Sequence, residues 1–142
     1  MVISDDVTIV PFDECGDSAR SFVRWRLSMS LERMVPSREA FVRTVAARAA
    51  AGLLIEHGVV RACVDAESKD VVLGCVAAFG QTIAVLAVRE KYRGVGVGDA
   101  LVDAVGAHSS IRALPDVTKK VEVLARSDLL WSWCVDWLEA ES

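Results

Sequence analysis

The stretch that decides the fold runs from Thr82 to Ala107: T-I-A-V-L-A-V-R-E-K-Y-R-G-V-G-V-G-D-A-L-V-D-A-V-G-A. Ile83 to Val88 is apolar without interruption and carries the β-branched residues Ile83, Val85 and Val88. A short run of this kind predicts a strand covered on both faces. It ends at Arg89, Glu90 and Lys91, where the chain must meet water. From Val97 onward, Val97, Leu101, Val102 and Val105 recur at helical spacing. The unit is a strand, a basic turn, a glycine-rich loop and a helix, with the helix starting inside the glycine run.

In that loop Gly94, Gly96 and Gly98 alternate with Val95 and Val97. Glycine tolerates positive φ and lets backbone N–H groups approach a ligand closely. Amides at a helix start point outward and favour phosphate, so the loop reads as an anion cradle for a nucleotide-like molecule. A P-loop would need Lys and then Ser or Thr after the last glycine, but Asp99 and Ala100 follow Gly98. A dinucleotide fingerprint counted from Gly94 needs Gly or Ala at its sixth place, which is Asp99. What remains is R-G-V-G-V-G, Arg93 to Gly98, behind an apolar strand. It resembles the R/Q-x-x-G-x-G/A acyl-CoA loop of the GNAT superfamily of N-acetyltransferases, with Arg93, Gly96 and Gly98 in the fixed places. Val88, Tyr92 and Arg93 match the V-x-x-x-Y-R that precedes it. The plain alternative is a tight turn whose glycines serve only close packing.

Length and composition fit one domain over residues 1–142, with a real core: 53% of residues are hydrophobic. No apolar run reaches the ~18–20 residues of a membrane span. Met1 leads into Asp5 and Asp6 rather than a basic and then apolar leader. A cytoplasmic protein without a signal peptide is expected. The net charge of -4 disfavours non-specific nucleic-acid binding. Cys15, Cys63, Cys75 and Cys134 form no C-x-x-C pair, and His57 and His108 are the only histidines. Free structural thiols and no metal site are expected.

Taken in order, Val7 to Phe12 reads as a first strand. A helix capped by Asp17 or Ser18 runs to about Arg33, with Arg20, Arg24, Arg26 and Arg33 on a basic face. A second helix spans about Ser37 to His57, with Phe41, Val45, Ala49, Leu53 and Leu54 as its apolar stripe and Gly58 as its stop. Val59–Asp65 and Val71–Phe79 form a hairpin, and the Thr82 strand continues an antiparallel meander. After the loop helix, 106–118 is irregular. Lys119–Leu124 alternates as a fifth strand able to lie parallel to the Thr82 strand. A last helix covers Leu129–Glu139, capped by Ser127 or Asp128. The fold class is therefore α/β (α+β): a mixed, mostly antiparallel sheet with helices on both faces, in the order β-α-α-β-β-β-α-β-α. Trp131, Trp133 and Trp137 on the last helix read as packing residues.

The order matches the opening of the GNAT fold, and the resemblance covers about residues 7 to 138. It implies an acyl-CoA-dependent N-acetyltransferase moving acetyl from acetyl-CoA to a primary amine, on a small molecule or a peptide, without a covalent enzyme intermediate. The pantetheine arm would pair with the strand around Leu86 and Val88. The pyrophosphate would sit on Gly94, Val95, Gly96, Val97 and Gly98 beside Arg93. A backbone N–H near Val88 would polarise the acetyl carbonyl. Trp25, with Arg24 and Arg26, would line an acceptor mouth.

Two departures stand out. The family's last-helix pattern, V-x-x-x-N-x-x-A-x-x-x-Y, laid from Val123 puts Ser127 at the Asn place and Cys134 at the acid Tyr place. Cys134 is thus the candidate proton donor, against an inert packed thiol. The sequence also runs out after the last helix, leaving no residues for the family's final strand pair. A second copy completing that side, a large acceptor or lost catalysis would each answer this. A non-catalytic CoA-binding, structural or regulatory protein is therefore the second hypothesis. The stretches W-R-L-S (Trp25–Ser28), V-P-S-R-E-A-F (Val35–Phe41), R-A-C-V-D-A (Arg61–Ala66) and V-V-L-G-C-V (Val71–Val76) are similar to short acetyltransferase-like proteins of tailed bacteriophages. That likeness alone suggests a third, acetylation of an amino-modified DNA base. No carboxylate or histidine lies in the Thr82 strand to act as base. Glu90 and Asp99 flank the loop, and a water relay is the alternative.

Overall fold

In the computed structural model, which describes residues 6–115 and 117–141, the described residues build, besides two single turns of 3-10 helix at Phe12–Glu14 and Glu90–Tyr92, six strands and four α-helices. They are β1 (Val7–Pro11), α1 (Asp17–Glu32), α2 (Ala40–His57), β2 (Val59–Asp65), β3 (Val72–Phe79), β4 (Thr82–Val88), α3 (Val97–Val105), β5 (Ser109–Ser110), β6 (Glu122–Val123) and α4 (Asp128–Glu141). One sheet takes the strands in chain order, antiparallel from β1 to β4 and parallel from β4 to β6. The expected α/β class, mostly antiparallel sheet and two-sided helix cover are all present.

Side-chain alternation distributes the central strands between two cores. Cys75 and Ala77 of β3 face the side that α1, α2 and α4 cover, while Val76 and Ala78 face α3. On the first side Val23, Leu27 and Leu31 of α1 and Leu54 of α2 are fully buried. On the second, Val97, Leu101 and Val102 of α3 close over Cys63, Val76 and Ile83. β3 is buried along all but its last residue, as a central strand covered on both faces must be.

Several local expectations are corrected. α1 begins at Asp17, but its cap is Gly16 without a side-chain cap bond; the Asp17 carboxylate instead accepts from Arg20. α2 begins at Ala40 rather than Ser37, because Ser37 Oγ accepts the Glu39 N–H at 3.2 Å in a turn that precedes the helix. Its buried face is Ala47, Ala50, Ala51 and Leu54; Phe41 and Val45 are 78% and 51% exposed. Small alanines let α2 pack closely on the layer beneath, so the buried stripe is not the bulkiest one.

The fifth strand shrinks to Glu122–Val123 and pairs with β5, not with β4. Between them runs Ser109–Ser110, a strand of two serines inside the stretch read as irregular. α4 packs on α2, and its tryptophans do pack: Trp131 Nε1 donates to Met34 O at 2.9 Å, and Trp133 and Trp137 meet Phe79 edge-on. No helix among the described residues is long and apolar enough to cross a membrane.

Candidate functional site

β4 is held differently along its length. At its start Thr82 and Ile83 pair with Ser109 and Ser110, and the Ile111 N–H donates to Ile83 O at 2.9 Å. Pairing with β5 ends there. Ser110, 1% exposed, donates its hydroxyl to Arg112 O at 2.6 Å as the chain turns off. On the other edge β4 stays bonded to β3 to its end, with the Arg89 N–H donating to Leu73 O at 2.9 Å.

That last bond sets the direction of the rest. Alternate residues of an antiparallel strand bond to the same neighbour. Ala87 therefore faces β3 with its backbone, and Leu86 and Val88 turn theirs to the opposite edge. The Val88 carbonyl accepts Arg93 Nε on that edge at 3.4 Å. A β-bulge assists: Ala77 pairs with Val85 and Ala78 with Ile83, which leaves Ala84 as the extra residue. A bulge bends the strand and raises its local twist.

The space beside this open edge is a cleft of about 570 Å³. One wall is Ala84–Val88 of β4, a second is α1 and its C-terminal cap with Trp25, Arg26, Met29 and Arg33, and a third is the segment Arg112–Pro115. Ser30 and Ser110 supply the hydroxyls, and Arg93 closes the loop end. Among the described lining residues there are four arginines and no Asp, Glu, His, Cys or Tyr.

From Arg93 the chain enters the glycine loop. Gly94 and Gly96 take φ values of 80° and 92°, a region in which other residues are strained. Gly96 caps α3, and the first bond back to the loop is Ala100 N–H to Gly96 O at 3.0 Å. Among the described residues the amides from Gly94 to Gly98 meet no acceptor, which leaves a run of unspent donors at the N-terminus of α3. Val97 turns its side chain into the α3 core, 2% exposed, whereas Val95 lies on the surface. Asp99 fastens the next segment: its carboxylate accepts the Thr118 hydroxyl at 2.6 Å and the Thr118 and Lys119 amides. The Thr118 hydroxyl bond acts most strongly and burial opposes it; with the two amides and the Lys119 charge added, the Asp99 carboxyl is held below the usual range.

Of the residues singled out in the sequence, Leu86, Val88, Arg93 and Trp25 meet in the cleft, and Gly94–Gly98 follow directly from it. Cys134 and Ser127 do not line it. Cys134 is 6% exposed in the core with Leu130 and Trp137, and burial pushes its thiol pKa up. All four cysteines are buried and free; burial drives Cys63 up to about 11 and Cys75 to about 12. The basic face expected on α1 divides. Arg20 bonds to Cys15 O at 2.7 Å and Arg24 lies over the Phe12 ring, while Arg26 and Arg33 turn to the cleft. The spacing Trp25/Arg26, Met29/Ser30, Arg33 is a one-face helical pattern that could have marked them. Arg112 had no such signal.

Outside the cleft, Glu56, His57 and Glu141 bring potential ligand atoms within 4.8 Å of one another. His57 Nε2 already lies 2.7 Å from Glu141 Oε1 and its ring stacks on Trp137. This group ties the ends of α2 and α4 together.

No family model matches the sequence, and no curated protein is similar to it at a significant level. Among solved structures, the chain is similar to a GNAT family acetyltransferase from Elizabethkingia anophelis with acetyl-CoA bound. Identity is 20% and the TM-score 0.40, over 72% of this chain and 56% of that one. The chain thus spans little more than half the length of that protein. It is also similar to a Pyrococcus furiosus protein provisionally described as an acetyl transferase, at 16% identity and TM-score 0.47, over 96% and 92% of the two chains. A Deinococcus radiodurans protein, provisionally described as an acetyltransferase, gives 14% and 0.39, over 89% and 82%.

Proposed function

We propose that the chain binds acetyl-CoA in this cleft and transfers the acetyl group to a primary amine. The observation that carries the proposal is the parting of β4 from β5 after Ile83 and Ser110, beside a loop whose amides meet no acceptor among the described residues. An extended arm with amide groups can add to the open edge at Leu86 and Val88 as a further strand would. A diphosphate suits the amides of Gly94–Gly98 and the N-terminus of α3, with Arg93 adding charge. The volume of about 570 Å³ lies within the range of small-molecule sites.

In this scheme the amine nitrogen attacks the thioester carbonyl carbon. The C–N bond forms, the C–S bond breaks, the amine gives up a proton and the departing thiolate takes one. The open N–H of Val88 or Leu86 would stabilise charge on the carbonyl oxygen. Water carries the protons, since no described side chain of the cleft except a serine hydroxyl can donate or accept one at neutral pH.

That same composition favours a second reading, a CoA binder without turnover. The two separate in one pair of assays. Acetyl-CoA at about 100 times its Kd should stabilise the protein by about 2.7 kcal/mol under either reading. Release of free thiol on adding an amine supports the transferase; stabilisation without release supports the binder. No stabilisation at millimolar acetyl-CoA overturns both.

A further inference from the structure

We propose that the acceptor is an amine bearing its own anionic group, a carboxylate or a phosphate, bound by Arg33 and Arg112 with Arg26 beside them. This rests on the transferase reading above and adds the substrate class to it.

The charge of the cleft is opposite to that of the chain as a whole. The chain has 20 acidic and 16 basic residues, yet the described walls of the cleft hold four arginines and no carboxylate. Arg93 belongs to the loop end, where the donor's diphosphate would lie. Arg26 stands on α1, Arg33 at its C-terminal cap, and Arg112 on the segment that departs from β5. Arg26 gives one N–H to Ser30 Oγ at 2.7 Å, which fixes its direction within the wall. Among the described residues, Arg33 and Arg112 join no ion pair, whereas Arg20 and Arg126 do.

A plain alkylammonium or polyamine would enter this cleft as a cation among cations, and like charges at close range repel. An amine with an attached carboxylate or phosphate enters neutral or negative. Its anion matches the planar fork of a guanidinium, which bonds such groups in pairs. The arginines then also favour loss of the ammonium proton, which the attacking nitrogen must shed. One arrangement thus holds the acceptor and readies it. Trp25, 55% exposed on the same wall, offers a flat apolar face for the acceptor's carbon frame.

The test is a matched panel with the full chain and acetyl-CoA: β-alanine against β-alaninamide, glucosamine 6-phosphate against glucosamine, and spermidine. We expect one member that bears an anion to exceed its anion-free partner by at least about tenfold in kcat/KM. R33Q or R112Q should collapse that ratio, with the larger change in the acceptor KM rather than the acetyl-CoA KM. The two pairs tell carboxylate from phosphate. Equal or better use of the anion-free amines or spermidine overturns the proposal. So does an intact ratio in both variants with a raised acetyl-CoA KM, which would give the arginines to the donor. If thiol release is nil throughout, the same panel is read by melting temperature with CoA present. A rise with an anionic amine only, lost in R33Q or R112Q, keeps the anion site and discards the transferase. No such rise overturns the proposal as well.

Discussion

The two halves of β4 share one strand and one apolar composition, yet they meet different neighbours. Thr82 and Ile83 are zipped to β5, with the Thr82 and Ser109 hydroxyls 2.8 Å apart. Leu86 and Val88 face a cleft, with their backbone groups turned away from β3. The lesson is that a buried-looking strand can be half edge. What differs is not the strand but the shortness of its partner and the turn at Ser110. An edge whose N–H groups bond no neighbouring strand invites pairing, and here it lies inside a walled space rather than on the outer surface.

Proline substitution gives the sharpest contrast between the two edges. In Ala87→Pro the ring removes a bond to β3 and strains a buried strand, which should cost about 3 kcal/mol or more in urea unfolding. Leu86→Pro removes an N–H that bonds no strand, so it should destabilise far less while losing the response to acetyl-CoA. Equal destabilisation by the two would mean that both edges of β4 are bonded.

Next in size is Gly96→Asp. Aspartate is among the few residues that enter the left-handed region, so the fold should survive φ 92°. Its carboxylate would face the diphosphate site, and the stabilisation of about 2.7 kcal/mol expected from acetyl-CoA should vanish. A wild-type response in this variant would remove the loop from the binding site.

A smaller effect is expected at the point of parting. Ser110→Ala deletes the bond to Arg112 O and should cost about 1 kcal/mol in denaturant. It should also weaken discrimination among acceptors, because Arg112 loses its anchor.

The smallest concerns acid. Asp99 has a depressed folded pKa, so its contribution is present above the unfolded value, about 3.9, and is lost as pH falls through the folded one. The melting-temperature gap between wild type and Asp99→Asn should therefore be widest near neutrality and close below about pH 4. A gap that widens in acid would show that the carboxylate does not fasten 118–119 to α3.

The strand–loop–helix unit was legible because its signals are local. β-branched residues marked β4, glycines marked the loop, and Val97, Leu101 and Val102 marked the buried face of α3. The parting was not legible. It is made by Ser109–Ser110, two residues without apolar alternation, whose strand character comes from Thr82 and Ile83 alongside. Arg112 was hidden for the same reason. The face of α2 was misjudged because burial followed alanines rather than larger residues. Cys134, placed by pattern at a proton donor's position, went to the core because helical phase packs it with Leu130 and Trp137.

Residue-resolved hydrogen exchange with and without acetyl-CoA tests the central claim most directly. Slowed exchange is expected at Leu86, Val88 and the amides of Gly94–Gly98, with Thr82 and Ile83 unchanged. Exchange at Leu86 and Val88 that is already slow in the free protein and indifferent to acetyl-CoA would contradict it.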